Sequence, residues 1–347
     1  MTVWSTISPA VADPVTVPKT TSPSGELKTL LFVLPSLLGI LGELARGFPQ
    51  EVDAPWCAGR KCRLDCCIEC KVSCKEDPMQ RTCRYVPLSK QPLVLVLCQV
   101  RFTPVRRIAD YISGIQDDFR RHGYPIERAG KIQQLTITSQ GVVQTTEQDR
   151  WEYRNKDETT SILVLQDSVV LQTTAYTKFE VFADQLRLAM DTVLSKTEQD
   201  NFGLIQRVGM RYIDLVQPRA DEGYRFYLRP GFHGVADEVF KPGTHRLHVE
   251  SIGATDVGGI PGTMVVRISQ SDQGSDLPAD VVGSAPKHAS RAKRQELVTL
   301  IDMDHFIEGN FEPKSNWVLE KAYRLHDHLI ETLHEHVISP AAVEAWR

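Results

Sequence analysis

The sequence lacks an apolar run long enough to cross a membrane as a helix. The candidate at residues 30–41 is interrupted by Pro35 and is much shorter than the about 20 residues that a transmembrane helix needs. It is also a poor signal-peptide core, because only two lysines occur in the long stretch that precedes it. We therefore expect no transmembrane segment and a cytoplasmic location.

A surplus of charge of one sign is also lacking. The chain has 40 basic and 44 acidic residues, a net charge of −4, so no overall basic field points to nucleic acid or to an anionic membrane. Familiar nucleotide, hydrolase and protease motifs are absent too: there is no GxGxxG after a strand, no Walker loop, no GxSxG and no HExxH. The sequence thus assigns no cofactor and leaves open whether the protein is an enzyme.

Cysteine is concentrated near the N-terminus. Seven of the eight cysteines lie between Cys57 and Cys83. They contain one CxxC pair and no accompanying histidine, yet four thiolates suffice for zinc, and the candidate ligands are Cys62, Cys66, Cys67 and Cys70. Disulfides would need an oxidising compartment. A zinc site, a disulfide framework and no structural role all remain open.

Residues 1–83 read as a disordered or non-native N-terminal extension. They begin with a Pro-, Ser- and Thr-rich stretch that has no periodic apolar face. Met79 follows most of the cysteines and precedes the first fold-like pattern, so we hypothesise that the native protein starts there. The alternatives are a true extension of unknown role and a zinc-stabilised module that contacts partners.

The folded part is predicted to occupy residues 84–347 in two halves, 84–200 and 201–347. The first half reads strand, helix, four strands, helix: Thr103 and Pro104 are typical of a helix start, and Thr177 with Glu180 form a capping box. The second half has strands followed by one long helix and resembles a degenerate copy. This order predicts an α+β fold with a curved antiparallel sheet and long helices on one face, by analogy with TATA-binding-protein-like and helix-grip architectures.

Several segments carry a family resemblance. They are "PLVLVLCQVRF", "RVGMRYIDLV", "LIDMD", the stretch from Tyr176 to Phe182, and "RLHDHLIETLHEHVISPAAVEAW". Through them the chain from about residue 84 resembles an uncharacterised family of sporadically distributed bacterial proteins, a domain of unknown function. The resemblance implies no activity or cofactor. It implies that the family domain starts near the first of these strands, without residues 1–78.

Arg207, Gly209 and Arg211 form the first candidate site. At alternate positions of a strand they share one face, and the glycine leaves room for a ligand or another backbone. Two guanidinium groups suit a phosphate or carboxylate. The alternative is a structural role in salt bridges to helix carboxylates. The function that follows is a non-catalytic binding or accessory protein, which recognises a small anionic ligand or a protein partner on its sheet face.

Asp302, Asp304 and His305 form the second candidate site, at the end of a predicted strand. Paired carboxylates with an imidazole can bind a divalent metal or transfer protons. The alternative function is therefore a metal-dependent hydrolase or nuclease. His326 is on the apolar face of the last predicted helix, where we expect a core histidine.

Overall fold

The structure is a computed structural model, and apart from Thr29–Leu31 its described residues begin near the predicted start of the folded part. The candidate zinc ligands Cys62, Cys66, Cys67 and Cys70, and the hypothetical start Met79, lie outside them. The described residues are 29–31, 85, 88–137, 143–219, 222–241, 243–244, 246–271, 276–288 and 297–347.

The described strands form one sheet. The strands are β1 (Thr29–Leu31), β2 (Leu93–Phe102), β3 (Ile126–Ile137), β4 (Val143–Arg154), β5 (Thr160–Leu165), β6 (Ser168–Thr173), β7 (Ile205–Val216), β8 (His248–Asp256), β9 (Pro261–Ser271) and β10 (Val298–Phe311). Their order across the sheet is β1-β3-β4-β5-β6-β2-β7-β10-β9-β8. The short β1 pairs parallel with β3, and all other neighbours in this order are antiparallel.

Among the described residues three long helices accompany the sheet, which confirms the predicted α+β class. The last of them continues into a π-helical turn, Leu333–Val337. The helices are α1 (Ile112–Arg121), α2 (Phe179–Lys196), α3 (Gln199–Phe202), α4 (Tyr224–Tyr227), α5 (Ala279–Val282), α6 (Ser315–Thr332) and α7 (Pro340–Trp346), with 3-10 turns at Ile108–Asp110, Pro230–Phe232 and Asp237–Val239.

The first strands of the two predicted halves meet at the centre of the sheet. β2 pairs with β7, and each is followed outward by the last strand of its own half, β6 or β10. Each half then ends in a long helix, α2 or α6. The pseudo-duplication and the likeness to TATA-binding-protein-like or helix-grip proteins both stay predictions.

The main core lies between the helices and one face of the sheet. Alternate residues of β2, namely Val96, Cys98, Val100 and Phe102, are fully buried there and belong to one apolar cluster with residues of α1, α2 and α6. The other face, which we call the open face, carries the intervening strand residues. A segment of residues 276–288, here called the strap, crosses it and includes α5.

Candidate functional site

The candidate site lies on the open face where β7 and β10 run side by side. Asp304 is directly opposite Arg211 in this antiparallel pair, and Asp302 is one position removed on the same face. Arg267 of β9 is directly opposite Asp302. The strand register therefore places arginines and aspartates next to one another, because residues opposite each other in a sheet share a face.

Arg211 is held by two carboxylates from different parts of the chain. Its Nε and Nη2 donate to Oδ1 and Oδ2 of Asp302, both at 2.7 Å. Its Nη1 and Nη2 donate to Oδ2 and Oδ1 of Asp280 in the strap, at 2.6 and 3.3 Å. Burial disfavours the charged guanidinium, but the two carboxylates outweigh it and raise the pKa of Arg211. The arginine is thus a fixed cation with two bidentate partners.

Arg207 is also held by residues of the protein. It donates to Oε1 of Gln99 at 2.7 Å and to Oδ2 of Asp304 at 3.1 Å, and it lies 4.2 Å above the ring of Phe306. Partial burial raises the pKa of Asp304, although Arg207 and Arg211 both act to lower it. The salt-bridge alternative is therefore realised in the geometry, mainly with carboxylates of β10 rather than of a long helix.

Gly209 provides space, and that space is occupied by Arg207. A Cβ built on Gly209 would lie 2.9 Å from Nη1 of Arg207. The glycine thus lets the guanidinium group fold back over its own strand. We expected room for a ligand or another backbone, and the structure fills it with a neighbouring side chain two residues away.

The metal candidates are not brought together. Asp302 and Asp304 are on the open face, but His305 points to the helices, because successive residues of a strand alternate between faces. Its Nε2 is 2.9 Å from Oγ1 of Thr255, its Nδ1 is 3.4 Å from the carbonyl oxygen of Leu325, and burial lowers its pKa to about 4. Within the described residues no three His, Cys, Asp or Glu side chains are grouped to hold a metal ion.

His326 occupies the core position expected from its helix face. Its Nδ1 is 2.8 Å from the hydroxyl of Tyr212, and its ring stacks on Phe179 with the centroids 4.1 Å apart. Burial lowers its pKa to about 3. It is a neutral side chain with a hydrogen-bond partner inside the protein.

The strap was not predicted from the sequence. Leu277 and Val281 pack into an apolar cluster on the open face, against Val94, Leu95, Ile213, Leu215, Val298 and Leu300. Further along, Gln172 donates to the carbonyl of Ser284, and Thr174 donates to the carbonyl of Lys287 at 2.7 Å. The sequence did contain one signal. Leu277 and Val281 are spaced by about one helical turn, and Asp280 is next to Val281.

A cavity of 590 Å³ adjoins the strap at the ends of β2 and β6. Its lining includes Lys90, Leu95, Thr173, Thr174 and Tyr176. Thr174 also holds the strap through Lys287, so the cavity and the strap share a wall. This size lies in the range of about 300–1,000 Å³ that small-molecule sites occupy.

The fold and the site define an α+β protein with an ion-paired open sheet face that is covered in part by its own strap. No family model and no curated protein matches the chain. None of the helices in the described part of the chain combines the length and apolarity needed to cross a bilayer.

Proposed function

We propose that the protein is a non-catalytic binding protein that recognises an anionic group on the open face, at Arg211. The observation that carries this proposal is the second carboxylate on Arg211, which comes from the strap and not from the sheet. Asp280 occupies the position that an external carboxylate or phosphate would take. Guanidinium groups stay protonated and supply no general acid or base, which favours binding over catalysis at this position.

Asp280 is the carboxylate that a ligand would replace. The side chain of Asp280 is 31% exposed, whereas that of Asp302 is 4% exposed. Asp302 also accepts a hydrogen bond from Arg267 at 3.1 Å. Removing Asp302 would take a buried partner from both Arg211 and Arg267. Exchanging Asp280 costs one ion pair and forms an equivalent one with the ligand.

The neighbouring contacts favour a peptide segment as the ligand. Leu277 and Val281 of the strap cover apolar side chains of β2, β7 and β10 close to Arg211. A ligand that displaces the strap therefore has to cover this apolar surface and also supply an anion. A short segment of a partner protein with one acidic residue between two apolar ones meets both requirements, as in other peptide-recognition grooves.

A labelled synthetic peptide with the sequence of residues 276–288 tests the proposal. The receptor is the full chain with Leu277→Ser and Asp280→Ala, which weaken its own strap and remove the internal competitor. We expect saturable binding by fluorescence anisotropy, weaker in the wild-type protein.

The matched control is the same peptide with Asp280→Asn. Hydrogen bonds to a charged group contribute about 1.5–3 kcal/mol, so this peptide should bind at least about tenfold more weakly. Equal binding of the two peptides, or no binding to a receptor variant with a native circular dichroism spectrum, contradicts the proposal.

A further inference from the structure

β8 is the last strand of the sheet within the described residues, and it lacks several of the usual protections of an edge. Its nine residues include no proline and no lysine, and its pairing with β9 runs without a register shift. Natural proteins usually interrupt an exposed edge with such residues or with a bulge, because unpaired backbone groups invite another strand.

The unpaired backbone groups of β8 belong to alternate residues. The carbonyl of Leu247 accepts from the N–H of Gln270 at 2.9 Å, and the N–H of Val257 donates to Ile260 at 2.8 Å. Odd-numbered residues of this strand therefore bond toward β9. In an antiparallel ladder the intervening residues direct their N–H and C=O groups to the other side, and these residues are His248, Glu250, Ile252, Ala254 and Asp256.

The sequence of this edge is complementary to itself around Ile252. If a second copy pairs antiparallel with Ile252 opposite Ile252, His248 lies opposite Asp256 and Glu250 lies opposite Ala254. Ile252 is 55% exposed, and it lies on the open face, because Glu250 reaches Arg267 on that face at 2.5 Å. Pairing would bury two isoleucines against each other at the centre of the contact.

Charge favours this register over the one centred on Glu250. Centring the pair on Glu250 would place two glutamates directly opposite each other, and like charges in that position are destabilising. Centring it on Ile252 sets each Glu250, already paired with Arg267, against an alanine. It also sets a histidine against a carboxylate at both ends of the strand.

We propose that two copies of the chain associate through β8, antiparallel and with Ile252 on the two-fold axis, so that their sheets become continuous. The two-fold axis limits the assembly to two copies, because both copies use the same strand and this strand is then paired. This proposal does not depend on peptide binding at Arg211.

The molar mass in solution tests the association. Light scattering after size exclusion should give twice the 39.0 kDa of one chain for the wild type. Ile252→Lys should give the monomer, because two ammonium groups would meet on the axis. The matched control is Val239→Lys, at a position that is 69% exposed elsewhere on the surface, and it should remain a dimer. A wild-type monomer at all concentrations, or a dimer of Ile252→Lys, overturns the proposal.

Cross-linking tests the register. In the proposed pairing the two Cα atoms of Ile252 are about 5.5 Å apart, whereas the two copies of Ala254 are offset by four residues, about 13 Å along the strands. A short bifunctional thiol reagent should link Ile252→Cys and leave Ala254→Cys at the level of the wild type, whose own cysteines set the background. Equal linking of both variants, or no linking above background, contradicts this register.

Discussion

Arg211 and Asp280 join the sheet to the strap through two hydrogen bonds, the shorter of which is 2.6 Å. The arginine belongs to a central strand, and the aspartate is 69 residues further along the chain. Because Arg211 already has a full partner in Asp302, this second pair is not needed to neutralise it. The pair instead adds to the apolar contacts of Leu277 and Val281 that hold the strap on the open face.

Asp280→Ala should weaken the strap and create a site for small anions. We expect the free energy of unfolding in chloride to fall by about 1–2 kcal/mol, since one charge-assisted pair is lost. Formate at high concentration should restore part of this loss in the variant by binding to Arg211, while the wild type gains less.

Urea denaturation in chloride and in formate at equal ionic strength measures both effects. Asp237→Ala is the control, because its pair with Arg225 is exposed and such pairs contribute little. If formate stabilises Asp280→Ala no more than it stabilises the wild type, Arg211 does not accept an external anion.

Local patterns in the sequence correctly predicted which residues of an element share a buried face. They failed where a residue far away in the chain makes the contact instead. The apolar residues that recur at helical spacing in α2 are all buried: Phe179, Phe182, Leu186, Ala189 and Val193. Two predicted helix caps were wrong. The hydroxyl of Thr103 accepts from the N–H of Leu204 and bonds to Gln199 instead of capping a helix, and α2 begins after Lys178 without a side-chain cap.

The candidate site was predicted in part for the same reason. Alternation places Arg207 and Arg211 on one face, as the structure shows. It also places Asp302 and His305 on opposite faces, so the period of the strand already argued against a common metal site. Strand alternation could not identify Asp280, because no local sequence pattern connects an aspartate of the strap with a strand arginine far back in the chain.

Arg211→Met should destabilise the protein more than any loss of Asp280. Asp302 is almost fully buried, and the loss of one member of a buried ion pair costs about 3–5 kcal/mol. Arg267 remains as a second partner, so we expect the lower end of this range. The double variant with Asp302→Asn should recover part of the loss, and a double-mutant cycle in urea measures the coupling. Additive effects of the two substitutions would contradict a direct pair.

The effect of Gly209→Ala on stability should change sign with the residue at position 207. In the wild type the new methyl group meets the guanidinium of Arg207 and should displace it from Gln99 and Asp304, which lowers the melting temperature. In an Arg207→Ala background the space is free, and alanine in place of glycine in a strand should gain about 0.5–1 kcal/mol. Thermal unfolding of the four proteins measures this, and the same sign in both backgrounds would show that Arg207 does not fill the space.

His326 and His305 should make the protein less stable in acid. Both have pKa values lowered by burial, to about 3 and about 4, whereas a histidine in the unfolded chain has a pKa of about 6.5. Below the pKa of the unfolded chain, the unfolded state binds more protons than the folded state. The contribution of each histidine to stability is therefore complete above this pH and falls as the pH decreases toward the pKa of the folded protein. Each histidine contributes a slope of about 1.4 kcal/mol per pH unit in this window.

His326→Gln should therefore flatten the pH dependence as well as reduce stability. At pH 7.5 the variant loses the packing against Phe179 and the bond to Tyr212. At pH 5 the wild type has lost part of its advantage, because its unfolded state is protonated at this histidine. The difference in the free energy of unfolding between wild type and variant should shrink from pH 7.5 to pH 5, measured in urea. A difference that stays constant with pH would show that His326 titrates equally in the folded and unfolded chains.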